Sequence, residues 1–162
     1  MKRIIYLFML LLSVTYLAAC SNSSTKGGDF KTYIKNTDFK SIEHDSINNL
    51  YIVSQDLNTI ISDENAINSF NDSIYDVLQL GLKTDKDIIF RGWDGNLAGS
   101  LVYFDKDTFN QKWGVSDSNK IYNKSSGWQT ISKFNQYLNS KNNAKTPEIE
   151  ERLFELAMYS KK

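Results

Sequence analysis

The chain has one cysteine, one histidine and one proline in 162 residues: Cys20, His44 and Pro147. Each scarcity removes a class of chemistry. A single cysteine forms no intrachain disulfide and supplies no cysteine cluster for zinc. One histidine excludes a multi-histidine metal centre. A serine–histidine–acid triad would have to use His44, which lies between Glu43 and Asp45 and reads as a solvated loop residue. Charge is equally unremarkable, with 19 basic and 19 acidic side chains. There is no basic excess to draw in nucleic acid or anionic lipid. The phosphate loop, the dinucleotide fingerprint and the nucleophile elbow Gly-x-Ser-x-Gly are all missing. On these grounds no catalytic residue, metal site or cofactor is expected. The uncharged run from Ile4 to Ala19 has sixteen residues, short of the roughly 20 that cross a bilayer.

What that run does have is an arrangement. Lys2 and Arg3 precede it, and it ends in Leu17-Ala18-Ala19-Cys20. A basic start, an apolar stretch and small residues before a cut are the parts of an export signal. The ending resembles the lipobox of bacterial lipoprotein precursors. The resemblance covers only this stretch. It implies that a peptidase cuts before Cys20 and that the Cys20 sulfur carries a diacylglyceryl group, with fatty acyl chains of the palmitate type holding the protein on the membrane. An uncleaved transmembrane anchor is the alternative. Each buried methylene contributes about 0.8 kcal/mol, so two or three chains anchor durably where one does not.

The expected organisation is a signal peptide over 1–19, a lipidated cysteine and flexible tether over 20–28, and a single domain over 29–162. The tether reading rests on small, polar and glycine residues from Ser21 to Gly28. Cleavage leaves 143 residues with 17 basic and 19 acidic side chains and, once Cys20 is acylated, no thiol. That length suits one core. By the same resemblance, Ser21 implies outer-membrane delivery in a Gram-negative cell. A Gram-positive cell would hold the protein on the outer face of its plasma membrane.

Within the domain, Phe30, Tyr33 and Ile34 have helical spacing behind Asp29, and Leu50-Tyr51-Ile52-Val53 reads as a strand. Ser62 opens the clearest helix, whose apolar stripe is Ile67, Phe70, Ile74, Val77 and Leu78 and whose stop is Gly81. Two β-rich runs, 87–93 and 96–104, flank Asp94-Gly95, a strong hairpin signal. A two-residue turn there pairs Phe90 with Gly99 and Ile88 with Leu101. It puts Ile88, Phe90, Leu97, Leu101 and Tyr103 on a core face. Ile89, Arg91, Trp93, Ala98 and Val102 then form a second face, too apolar to be fully solvated, which is either covered or used for binding. Phe109, Trp113 and Val115 suggest a further short strand or turn, and Ile121-Tyr122 a strand start. Ser126-Gly127-Trp128 leads into a helical pattern at Ile131, Phe134, Tyr137 and Leu138, followed by a polar linker from Ser140 to Lys145. Thr146-Pro147 starts the last helix, with Ile149, Leu153, Leu156 and Ala157 as its stripe. The fold class is therefore α+β: a small single domain with helices packed on an antiparallel sheet of three to five strands, centred on a hairpin at about 87–104. A cystatin-like meander crossed by one long helix fits that element order by analogy.

Function is read from what the hairpin carries. Aromatics crowd residues 93–128, with Arg91 and Asn96 among them, and tryptophan, tyrosine and arginine are favoured at interface centres. The candidate binding residues are Arg91, Trp93, Asp94, Asn96, Trp113 and Trp128, with Trp93 expected to be partly exposed. The expected function is a membrane-tethered, non-catalytic envelope lipoprotein that binds a protein partner, as an assembly factor or an inhibitor of a toxin or hydrolase. The alternatives are a small-ligand or glycan binder and a hydrolase using carboxylates among Asp94, Asp105, Asp107 and Asp117. Asp105-x-Asp107 resembles half a calcium loop but lacks its third acid, glycine and distal glutamate. The lipoprotein reading predicts that cells fed a labelled fatty acid incorporate it into the wild type and not into Cys20→Ser. An unlabelled wild type would refute it.

Overall fold

The computed structural model describes residues 30–35, 37–114, 120–134 and 142–161. The expected signal peptide and tether, and Val115, Asp117, Tyr137 and Leu138, lie outside the described residues. The elements run α1 (Phe30–Ile34), β1 (Ser41–Asp45), β2 (Leu50–Asp56), α2 (Asp63–Gln79), β3 (Asp87–Asp94), β4 (Leu97–Phe104), α3 (Lys106–Phe109), α4 (Ile121–Lys124), β5 (Gly127–Thr130), β6 (Asn142–Ala144) and α5 (Pro147–Ala157).

Helix α2 forms where its caps and stripe place it. The Ser62 hydroxyl accepts the Asn65 amide at 3.0 Å, satisfying one of the free first-turn donors. Asp63 and Glu64 complement the positive end of the helix dipole. Gly81 follows in the left-handed region at φ 63°, where a side chain would be strained. All five expected stripe residues are buried. At α5 the Thr146 hydroxyl takes the Ile149 amide at 3.4 Å, and Pro147 fills the first turn, where no donor is missed.

The domain is α+β, as expected, built on one six-stranded sheet in the order β1-β2-β3-β4-β5-β6. It is wider than expected because both edges are polar. His44, expected in a loop, lies on β1, and part of the expected polar linker from Ser140 to Lys145 is β6. Edge strands carry few apolar residues, so they leave a weak sequence signal. The sheet is also mixed: β2 and β3 are parallel and every other pair is antiparallel. The seventeen residues of α2 supply the long crossover that a parallel pair requires. That pair departs from a cystatin-like meander. Two short segments correct strand expectations, since 106–109 and 121–124 are helical turns. β5 contains Trp128 where a helix lead-in was expected.

The hairpin register also differs. Asp94 pairs with Leu97, so the turn is Gly95-Asn96, and only Gly95 has positive φ, at 59°. The type I′ turn, which needs positive φ at both central residues, is not formed at Asp94-Gly95. Trp93 pairs with Ala98 but Gly92 with Ser100, leaving Gly99 as the extra residue of a bulge. Beyond it Phe90 faces Val102 and Ile88 faces Phe104. Leu101 and Tyr103 therefore join Ile89, Arg91 and Trp93, not Ile88 and Phe90.

Both faces of the hairpin are core. On one, Ile88, Phe90, Val102 and Phe104 meet α2, Trp113, Trp128 and Phe134. On the other, Ile89, Trp93, Leu101 and Tyr103 meet Leu153 and Leu156 of α5. The second face, which the sequence left as either covered or binding, is covered over β4–β6 by α5. Phe90 is wholly buried, with ring centroids 5.1 Å from Phe39 and 5.8 Å from Phe104. Chemical denaturation should show Phe90→Ala destabilised by about 3–5 kcal/mol, against roughly 1 kcal/mol for the cap variant Ser62→Ala.

Candidate functional site

Because α5 lies over β4, β5 and β6, the same face of β1–β3 is left as the floor of a groove. Its walls are β1 on one side and the end of α5 with its tail on the other. The groove has a volume of about 600 Å³. The tail is tied back over the hairpin: the Lys161 amide donates to the Asn96 carbonyl at 3.0 Å, and the Lys161 ammonium donates to Asp56. Ser160 bridges to Leu97.

Arg91 lies at the groove floor. Its place on β3 beside Ser54 of β2 puts Nε 3.0 Å from the Ser54 hydroxyl, which accepts its proton. Nη2 donates to Glu43 Oε1 at 2.9 Å, reaching across β2 to the edge strand. The guanidinium carbon stands 4.2 Å from the centre of the Trp93 ring, a cation–π geometry. The Arg91 side chain is only 6% exposed, whereas Glu43 is 57% exposed. Burial pulls the Arg91 pKa below its ordinary value, and Glu43 offsets part of that. Arginine is not deprotonated in proteins, so the guanidinium carries its charge at neutral pH.

Next to this groove, and sharing Asp45, Leu156 and Tyr159 with it, is a second concavity of about 620 Å³ between the β1–β2 turn and α5. Around it stand Ile47, Phe154, Met158 and Tyr159, exposed by 92%, 61%, 72% and 63%. The turn that presents Ile47 is shaped by Asp45, whose Oδ1 accepts the amides of Ile47 and Asn48 at 3.0 Å each. The Asn48 side-chain amide is the chief cause of the lowered Asp45 pKa; burial opposes it, and the backbone amides of Asn48 and Ile47 add to the lowering. Phe154 and Met158 are four residues apart, and so emerge together from the side of α5 that faces away from the sheet.

The six candidate residues do not form one surface. Arg91 lines the groove and Trp93 lies under it, 7% exposed where partial exposure was expected, because the guanidinium covers its face. Asp94 accepts the Lys133 ammonium at 2.6 Å, and Asn96 is exposed in the turn. Trp113 and Trp128 are buried on the opposite side of the sheet, against Phe104 and Tyr122. Sequence reading missed Glu43, Ile47, Phe154, Met158 and Tyr159. The one available signal was Phe154 and Met158 standing outside the stripe of α5.

Of the four candidate acids, Asp94 and Asp105 are held apart in separate contacts. Asp94 and Asp105 flank opposite ends of β4, the first in its ion pair and the second capping α3. Asp105 Oδ1 accepts the Thr108 amide at 2.7 Å, and Oδ2 accepts the Thr108 hydroxyl at 3.0 Å and the Ser126 hydroxyl. Among the described residues no three metal-ligating side chains come together, and no helix is long and apolar enough to cross a membrane.

Comparison of the chain with protein-family models, curated proteins and solved structures returns no match.

Burial raises the Asp105 pKa, but the hydrogen bonds from Ser126 and Thr108, with Lys145 nearby, outweigh it and leave the value lowered. A carboxylate depressed in the folded state adds stability above its unfolded pKa and loses it as pH falls toward the folded one. Between about pH 5 and pH 3, wild type should therefore lose more stability than Asp105→Asn, as read by urea midpoints across that range.

Proposed function

We propose that the protein is a non-catalytic, membrane-tethered envelope lipoprotein that captures a protein partner through the surface formed by the β1–β2 turn and α5. The partner is an envelope component under assembly, or a toxin or hydrolase held in check. The observation that carries this reading is the exposed apolar group Ile47, Phe154, Met158 and Tyr159 beside a groove with a charged floor. Contiguous exposed apolar patches with polar rims mark interaction sites. Phe30, the first described residue, stacks on Tyr51 and meets Phe109 edge-on, on the α2 side of the sheet.

The lipid anchor is proposed from Leu17-Ala18-Ala19-Cys20 alone. Crosslinking in native envelopes should recover one specific protein with wild type. The double variant Phe154→Ser/Met158→Ser should recover at least about tenfold less of it, with an unchanged melting temperature, since interface anchors of this size are each worth more than 1 kcal/mol. Equal recovery with the double variant would overturn the proposal.

A further inference from the structure

The proposed interaction surface joins an apolar patch to a groove whose floor is a buried cation, and that combination narrows the chemistry of what docks there. A guanidinium 6% exposed has lost most of its water, and its compensation is specific. Nε is engaged by Ser54, one face lies on Trp93, and Nη2 meets Glu43. Nη1 makes no hydrogen bond among the described residues. The neutral contacts are internal to the sheet and fix the plane of the group. Among the described residues its one anionic contact comes from the sheet's edge strand β1, from a glutamate that is more than half exposed.

Glu43, more than half exposed, can swing into water when another carboxylate takes its place, whereas Arg91 stays where β3 holds it. An incoming carboxylate in its place would accept from the same guanidinium edge and gain Nη1 as well, the bidentate geometry that arginine favours.

We propose that Arg91 is the recognition residue for a carboxylate on the partner, and that the docking segment is an acidic residue flanked by large apolar side chains. The carboxylate replaces Glu43 at the groove floor, and the apolar flanks cover Ile47, Phe154, Met158 and Tyr159. Glu43 serves as a resident stand-in that keeps the cation paired in the free protein. The shared wall of Asp45, Leu156 and Tyr159 makes the two contacts continuous. This inference rests on the reading of the surface as a protein-binding site and adds the partner's chemistry to it.

The test is a display selection against the full chain in detergent. The probe is a library of twelve-residue peptides whose centre is glutamate or glutamine in equal numbers and whose other positions are drawn from Leu, Phe, Ser and Gly. Wild type should enrich glutamate over glutamine about tenfold, the scale of one charge-assisted contact. Arg91→Gln should abolish the preference, and Arg91→Lys should keep part of it. Glu43→Gln, which removes the competing carboxylate, should strengthen it severalfold. This last arm does not depend on the Arg91 variants folding, and a purely structural ion pair would not produce it. Equal enrichment of the two peptide classes by wild type, or no gain with Glu43→Gln, overturns the inference. Glutamate and glutamine peptides that bind equally and are both lost with Phe154→Ser/Met158→Ser would sink the role of Arg91 and leave the apolar docking site standing. A glutamate preference untouched by that double variant would do the reverse. No peptide binding at all counts against both.

Discussion

The pairing of β3 with β4 is the contact on which the rest of the structure depends. Both strands are buried on both faces, and Ile88 to Phe90 and Leu101 to Phe104 run apolar where an exposed sheet would alternate. Ile88 and Phe90 face α2 while Ile89, Trp93 and Leu101 face α5. A one-residue slip would exchange the two sets. The bulge at Gly99 keeps Ala98 and Leu101 on the same face across the irregularity and so lets the α5 side form one continuous cluster. The shape of both layers follows from that register.

The groove is a consequence of unequal coverage. Six strands span more width than one eleven-residue helix can cover, and α5 sits over β4–β6. On the same face of β1–β3 the groove is bounded by the end of α5 and by the tail, held at Asn96 and Asp56. An arginine on β3 at that depth has neither full solvent nor a full protein environment. Ser54, Trp93 and Glu43 each satisfy one part of it. A hydrophobic residue there would have packed without such support, so the ion pair is weak evidence for stability and better evidence for use.

Much of the fold was legible in the sequence where local chemistry and burial agreed. Ser62, the stripe of α2 and Gly81 mark one helix end to end, and Thr146-Pro147 marks the start of another. The hairpin was legible as a hairpin, but its turn was misplaced by one residue. Asp94-Gly95 and Gly95-Asn96 are both acceptable turn pairs, and packing against α2 and α5 chose between them. The polar edge strands β1 and β6 carried no signature because an edge strand is held by backbone pairing to its one neighbour. The aromatic crowding from 93 to 128 pointed to an interface, yet Trp113 and Trp128 are core, since large rings in a small domain have few other places to go.

The sequence by itself determined the α+β class, the two capped helices and the existence of a central hairpin, because caps, periodicity and turn residues act over a few positions along the chain. Its chemical scarcities were equally plain there, since a side-chain type that is missing cannot be restored by folding. Only the tertiary structure decided the parallel β2–β3 pair, the register at Gly99, and the meeting of Glu43, Arg91 and Tyr159 around one groove. Those residues are separated by dozens of positions in the chain. Their proximity is set by which strands pair and where α5 comes to rest, and no local pattern encodes either.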